Sequence, residues 1–262
     1  MTDPASSGRA HYVLSPAPWL GGCSDVGLRH PTNQDAMSLA AREVPARAAI
    51  AVVSDGVTTA PGAEDASRLA SEAAAHRLVD LLDRGESPTA ALHDAFDAAN
   101  SAVVADREYP SACTLVAAVV EGATITVGNV GDSRAYWFGD DGDAHQLSTD
   151  DSMAQARILL GMTREEAEQS IQAHAITRWL GRDSTDWAPG VVELTPDGDG
   201  WLLLCSDGLW NYASSPEELG AVFAQHAAGT ATPAQGAEAL VAWANAQGGR
   251  DNVTVVLTRI TR

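Results

Sequence analysis

Two stretches of this 262-residue chain share one plan. Ile50-Ala-Val-Val-Ser-Asp55-Gly56 and Leu202-Leu-Leu-Cys-Ser-Asp207-Gly208 are each an apolar run of buried-strand type that enters Ser-Asp-Gly. Asp-Gly at Asp141 and Asp197 reads as an ordinary turn, with glycine supplying positive φ. A carboxylate ionised against the end of an apolar core is another matter, because it costs several kcal/mol unless something cationic compensates. Neither Asp55 nor Asp207 has Lys or Arg beside it in sequence, and a divalent cation would resolve the conflict. Three more aspartates sit in comparable settings. Asp35 closes Gly27-Leu-Arg-His30-Pro-Thr-Asn-Gln34-Asp35, Asp132 opens Gly131-Asp-Ser-Arg134 after the apolar run 127–130, and Asp251 lies in Gly248-Gly-Arg-Asp-Asn252 before the last apolar run. Singly, each reads as a turn or a cap. Brought together, the five would form an oxygen-only metal nest.

Donor chemistry narrows the ion. The seven histidines form no HExxH spacing and the three cysteines no CxxC, which disfavours zinc. Carboxylates, a backbone carbonyl and water suit Mg²⁺ or Mn²⁺, and no twelve-residue EF-hand loop is present. Several carboxylates in one place need more than one ion to offset their repulsion. Two ions ~3.5–4 Å apart serve in-line displacement at phosphorus, where the bridging water becomes hydroxide near neutral pH and attacks.

The elements that must carry these residues are readable from periodicity. Strands are expected at 48–53, 114–120, 123–130, 134–138, 191–194, 201–205 and 253–260, with Glu121-Gly122 as a tight hairpin turn. Helices are expected at 64–83, 88–106 after the N-cap Ser87, 216–227 and 233–246. The order is not a strict βαβ alternation, so an α+β architecture of mostly antiparallel sheets packed between helices is expected. Residues 1–17 mix Pro, Ser and Gly without periodicity and read as a loose lead-in, with 18–262 as a single domain. Composition sets the outer bounds. Hydrophobic residues at 45% exclude wholesale disorder, and a net charge of −19 disfavours nucleic acid or anionic lipid as a partner. The apolar runs are far shorter than the ~18 residues of a membrane span, and no signal peptide is evident at the N-terminus. With no disulfide framework, a cytoplasmic location is expected.

The succession Asp25-x-Gly-x-x-His-x-x-Asn-Gln-Asp35, Val53-Ser-Asp-Gly56, Thr114, Gly131-Asp-Ser-Arg134, Leu147-Ser-Thr-Asp-Asp-Ser152, Cys205-Ser-Asp-Gly-Leu209 and Asp251-Asn-Val-Thr254 resembles the protein phosphatase 2C family, in its compact bacterial form. Each motif alone is weak; seven in order across residues 23–260 are specific. The resemblance implies a central β-sandwich flanked by helix pairs, a four-layer αββα fold with metals at one end. Carried over by position, Asp55 bridges two metals and the Gly56 carbonyl binds one. Asp207 and Asp251 bind the other, Asp35 acts through metal-bound water, and Asp132 with Asp207 holds a third, weaker ion. The segment 153–175 corresponds to a mobile flap whose Thr163-Arg164-Glu165-Glu166 reads as a capped helix. The implied activity is hydrolysis of phosphoserine and phosphothreonine in proteins of a Ser/Thr kinase pathway.

Several positions depart from the family pattern. His30, with Arg29 beside it, stands where an arginine grips the substrate phosphate; histidine does so only when charged, below a pKa near ~6.5. Gln34 replaces a frequent Glu, Val57-Thr58-Thr59 replaces a small glycine-rich turn, and Asp151 stands for a usual His. No histidine acid is then expected near the metals. Trp137, Trp179, Trp201 and Trp210 read as core packing, Cys205 as a buried hydrophobe, and His76 and His93 as surface residues. The rival to a phosphatase is a pseudophosphatase, a metal-stabilised module that binds a signalling partner. A phosphatase with an aspartate nucleophile wants a second Asp two positions on, whereas Asp55 is followed by Gly56-Val57. A passive calcium-binding β protein would bind metal without turnover.

Overall fold

A computed structural model of the chain describes residues 9–43, 47–105 and 110–262. The strands are β1 (His11–Ala17), β2 (Leu20–Asp25), β3 (Asp35–Arg42), β4 (Ala48–Asp55), β5 (Ala112–Cys113), β6 (Leu115–Glu121), β7 (Thr124–Val130), β8 (Arg134–Gly139), β9 (Ala144–Gln146), β10 (Leu180–Gly181), β11 (Gly190–Leu194), β12 (Gly200–Cys205) and β13 (Val253–Ile260). The helices are α1 (Ala63–Asp83), α2 (Pro88–Ala105), α3 (Met153–Leu159), α4 (Arg164–Glu168), α5 (Asp207–Trp210), α6 (Pro216–His226) and α7 (Pro233–Ala246). One sheet runs β1-β2-β13-β12-β8-β9 and the other β11-β7-β6-β4-β3, with β5 and β10 pairing apart. The recorded pairings are all antiparallel.

The central strands are apolar on both faces because each face has its own cover. In β4, Ala49, Ala51 and Val53 point between the sheets, while Ile50 and Val52 meet α1 and α2. In β12, Leu202 and Leu204 face the sandwich interior, while Leu203 and Cys205 meet α6 and α7. That double burial is why these segments read as unbroken apolar runs rather than alternating ones. Trp137 and Trp210 are buried as expected and Trp201 packs half-buried against the same core, whereas Trp179 is half-buried and belongs to none of the core clusters; Cys205 lies fully inside, and His76 and His93 are exposed. Helix starts follow their caps: Ser215 and Glu218 close a capping box on α6, Thr232 accepts from the Gln235 N–H on α7, and Ser87 from Ala90 before α2. The expected end of α2 at residue 106 lies outside the described residues. No helix among the described residues is long and apolar enough to cross a membrane.

The N-terminal expectation is overturned. Of the 1–17 lead-in, His11–Ala17 is the strand β1, paired with β2 from His11 opposite Asp25 to Ala17 opposite Leu20. Tyr12, Leu14 and Ala17 turn inward onto the sandwich core, and the register shifts between Leu14 and Ala17, around Pro16. An edge strand tolerates proline at such an irregularity, so its presence did not mark a loose segment. Residues 1–8 lie outside the described residues. β2 carries Gly21 and Gly22 because a Cβ at either would collide with Ala234 of α7 or with Met37 and Val255.

Candidate metal centre

Antiparallel pairing gathers the five aspartates. β3 begins where β4 ends, so Asp35 and Asp55 are direct cross-strand partners. β12 ends and β13 begins at the same end of the other sheet, which puts Asp207 on the first turn of α5 and Asp251 just ahead of Val253. β7 ends there too, and Gly131, at φ 96°, turns the chain so that Asp132 follows. A Cβ on Gly131 would strike Thr114, and one on Gly56 the Ala63 carbonyl, so both turns require glycine.

Asp35 is 1% exposed and ties the two sheets together. Its Oδ2 accepts hydrogen bonds from Ser206 Oγ (2.6 Å) and Thr254 Oγ1 (2.8 Å) of the facing sheet, while its Oδ1 is buried without a partner. Burial pushes its pKa up to about 7 against the pull of those two hydroxyls, with Asp207 and Asp251 adding repulsion. Asp207 is pushed up to about 6, by desolvation first and Asp251 next. Its Oδ2 accepts from Asn211 Nδ2 at 3.0 Å, and its Oδ1 is also buried and unpartnered. Asp55 lies well above the ordinary range through desolvation, then Asp35, Asp207, Asp132 and Asp251, although part of the residue still reaches solvent. Its backbone is clamped by Thr114, whose Oγ1 accepts from the Asp55 N–H at 3.1 Å. Asp132 is raised by desolvation, Asp207 and Asp150, with Arg134 opposing.

Asp35, Asp55, Asp132 and Asp207 are each raised by others of the set, Asp251 among them, so the fold draws the five strand-end aspartates into one electrostatic neighbourhood. They do not close into a finished cage: among the described residues, no three His, Cys, Asp or Glu side chains stand in a ready ligand arrangement. Two tests on these residues favour a hard cation. Two buried carboxylate oxygens, on Asp35 and Asp207, have nothing to accept from, and a buried charge in that state is costly. Among the described residues, no Arg or His is ion-paired with Asp35, Asp55, Asp132 or Asp207, and Arg134 only eases the repulsion on Asp132 and Asp207.

The substrate-side residues separate. His30 Nε2 lies 3.3 Å from Asp251 Oδ1, whereas Arg29 is exposed and makes no ion pair with a described residue. Gln34 sends its backbone N–H to Asn252 Oδ1 (2.8 Å) and its Oε1 accepts from Thr58 Oγ1 (2.8 Å). Asp151 is a structural pin, accepting from the Gly131 N–H at 3.0 Å and pairing with Arg178 at 3.3 Å. In the segment 153–175, α4 carries the capping box of Thr163 and Glu166. The segment rests on a small cluster of Ala154, Ala167 and Ala173, and leaves Leu159, Leu160 and Ile171 exposed.

Sequence reasoning missed the polar frame behind the carboxylates. Besides Ser206 and Thr254, Asn252 donates to the Val26 and Thr32 carbonyls and so fixes the loop that carries Arg29 and His30. Arg134, with 3% of its side chain exposed, forks onto Asp150 (2.7 Å), reaches Tyr136 and Ser214, and stacks 3.6 Å over the Trp210 ring. The available signal was a Ser or Asn beside two of the strand-end aspartates, in Ser206-Asp207 and Asp251-Asn252.

Known proteins share this arrangement of elements. The serine/threonine protein phosphatase PstP of Mycobacterium tuberculosis is 32% identical over 243 residues, which cover 90% of this chain and 44% of that protein. The chain thus spans less than half the length of that curated relative. The crystal structure of the Mycobacterium tuberculosis serine/threonine phosphatase PstP/Ppp superposes with a TM-score of 0.74 at 28% identity, covering 93% of this chain and 98% of that one. A PstP catalytic domain in complex with two manganese ions gives 0.72 at 28% identity, over 92% and 97% of the two chains. The protein phosphatase 2C family model matches residues 29–245, a span that holds Asp35, Asp55, Asp132 and Asp207 and stops just short of Asp251. By that match, and by the fold that carries it, the chain belongs to the protein phosphatase 2C family.

Proposed function

We propose that this chain is a metal-dependent phosphatase that removes phosphate from phosphoserine and phosphothreonine in proteins. The observation that carries the reading is the buried, repelling set of strand-end aspartates with unpartnered oxygens on Asp35 and Asp207. Asp55, the Gly56 carbonyl, Asp207 and Asp251 would hold two ions, Mn²⁺ or Mg²⁺, with Asp35 contributing behind a water and Asp132 offering a third, weaker site. Such ions neutralise phosphoryl charge and bring the pKa of a coordinated water toward neutrality. The PstP catalytic domain in complex with two manganese ions supports a two-ion reading of this fold.

The chain's own residues then have distinct tasks. Ser206 and Thr254 donate to Asp35 Oδ2 and fix the rotamer that leaves Oδ1 free. Thr114 holds the Asp55 backbone, and Asn252 holds Gln34. We assign the substrate phosphate to Arg29, whose guanidinium is free for a bidentate contact. His30 is engaged with Asp251 and orients that carboxylate. Substrates are phosphorylated proteins of a Ser/Thr kinase pathway.

The decisive experiment is turnover of para-nitrophenyl phosphate and of phosphopeptides with Mn²⁺, with and without chelator. Chelator-sensitive hydrolysis of phosphoserine and phosphothreonine peptides over phosphotyrosine is expected. Manganese-dependent melting without any turnover would replace the enzyme with a metal-stabilised binding module. For the phosphate grip, Arg29→Ala is expected to raise KM, His30→Ala less so, and the double variant most. Unchanged KM and kcat in the double variant would remove Arg29 from the grip and His30 from the support of Asp251.

A further inference from the structure

The turn Val57-Thr58-Thr59, where the family has a small glycine-rich one, builds a wall. The Val57 N–H donates to the Ala112 carbonyl (2.9 Å), the Ala60 N–H closes back onto Val57 (2.8 Å), and Thr58 is hooked to Gln34. The turn therefore stands as a rigid projection beside Asp55. Opposite it, β10 pairs with β5, Leu180 across from Cys113, and so brings Trp179 and Ile176 toward the same space. Between them is a cavity of about 360 Å³. Its apolar lining includes Val57, Ala60, Pro110, Ile176 and Trp179, and Asp183 is among its polar members.

Continuity with the metal centre decides what fills it. Asp55 and Val57 are two residues apart, at most ~7 Å of chain. Gly56 between them pairs with Cys113, and the Asp55 carbonyl accepts from Thr114 of the same stretch. A phosphoryl group held at Asp55 thus places the adjoining residues of its own peptide at the mouth of the cavity. Val57, Ala60, Ile176 and Trp179 are half-buried, so each still offers apolar surface that an incoming side chain would cover. A carboxylate-bearing flank gains nothing there, since Asp183 and the nearby aspartates repel it.

We propose that this cavity is a substrate subsite that takes one large apolar side chain, aliphatic or aromatic, within two residues of the phosphorylated one. The proposal rests on the phosphatase reading for its substrate but not for its measurement. The test uses phosphothreonine peptides in which each position from two before to two after the phosphoresidue is Leu, Phe, Gly or Asp in turn. In the wild-type chain with Mn²⁺, Leu or Phe at one of those positions is expected to give kcat/KM about tenfold above Gly or Asp, the order that an apolar pocket yields. In Trp179→Ala and in Ala60→Glu that ratio falls toward one. Reading the ratio within each variant cancels general damage, and Ala60 lies on the turn, where a longer side chain leaves the core alone. A flat flank preference in the wild type, or a preference that survives both variants, would overturn the subsite. The same peptides with a phosphonate in place of the ester give the ratio as affinities by fluorescence anisotropy. Absence of all hydrolysis, para-nitrophenyl phosphate included, would sink the phosphatase reading, and the binding ratio would still decide the subsite. Turnover with no flank preference would leave that reading standing and remove the subsite alone.

Discussion

The six-stranded sheet has acidic residues at both ends, and the two ends treat them in opposite ways. At the far end, Asp140 follows β8 and is gripped by Arg259 of β13 through two contacts of 2.6 Å, with Asp199 3.9 Å from the same guanidinium. The bond to Arg259 holds the Asp140 pKa below the usual range. At the near end, Asp207 follows β12 and is pushed up, as are Asp35, Asp55 and Asp132 around it, with no ion-paired cation among the described residues. Strand scaffold and residue type are the same, and only burial and partner differ. A chain selected for stability alone would make both ends like the far one. A destabilising cluster retained at the near end is what the proposed metal site would require.

That comparison is broken most sharply by removing one near-end carboxylate. Asp207→Ala is expected to lower kcat/KM by about 10³-fold, the order seen when a preorganised electrostatic group is lost. The thermal midpoint of the chelated protein should hold or rise, since a repelling charge has gone. A chelated midpoint that drops by several degrees while activity persists would mean that Asp207 is a structural residue like Asp140.

Arg134 is the near end's own exception, a buried charge that is paired. Arg134→Leu would leave Asp150 buried without its partner and cost roughly 3–5 kcal/mol in denaturant unfolding. Replacing both partners, Arg134→Leu with Asp150→Leu, should recover much of that loss. A double variant no more stable than the single one would show that the bonds to Tyr136 and Ser214, rather than the ion pair, carry the stabilisation.

Proton linkage separates the ends further. Asp35 at about 7 and Asp207 at about 6 bind protons more tightly when folded than when unfolded, where the ordinary value is 3.8. Their contribution to stability is therefore complete below about pH 4 and disappears as pH rises through 6 to 7. In chelator, the wild type should lose stability across that window relative to Asp35→Asn, which cannot titrate there, and Mn²⁺ should restore it at neutral pH. Parallel pH profiles for the two proteins would mean that Asp35 titrates normally.

The strands buried on both faces, β4, β6, β7, β8, β12 and β13, stand where their apolar runs placed them, because double burial writes itself into composition. β2 and β3 escaped: Leu-Gly-Gly-Cys-Ser-Asp and Asp-Ala-Met-Ser-Leu-Ala-Ala-Arg carry little β-branched character and are strands only because their neighbours are. The site divides in the same way. Its aspartates could be read because each sets a charge against an apolar run, a conflict visible in one dimension. The hydroxyls on Asp35 could not, since Ser206 and Thr254 lie 171 and 219 residues away along the chain and act only across the two sheets.

The smallest expected effect belongs to the far end, and it tests whether the contrast is one of kind or of degree. Asp140→Asn removes the charge but keeps the shape beside Arg259, whose guanidinium also lies 5.3 Å from the Trp201 ring and 3.9 Å from Asp199. Half of the Asp140 side chain is exposed, so water and salt screen the pair, and roughly 0.2–1 kcal/mol of stability should be lost, less at high ionic strength. Because Asp140 ionises more readily when folded, its contribution is present above pH 4 and fades on acidification, opposite in sign to Asp35. Turnover with Mn²⁺ should not change, because β8 spans the distance from Asp140 to the near end. A loss of activity in Asp140→Asn without a loss of stability would mean that the two ends communicate along the sheet, and the division between a structural and a chemical pole would no longer hold.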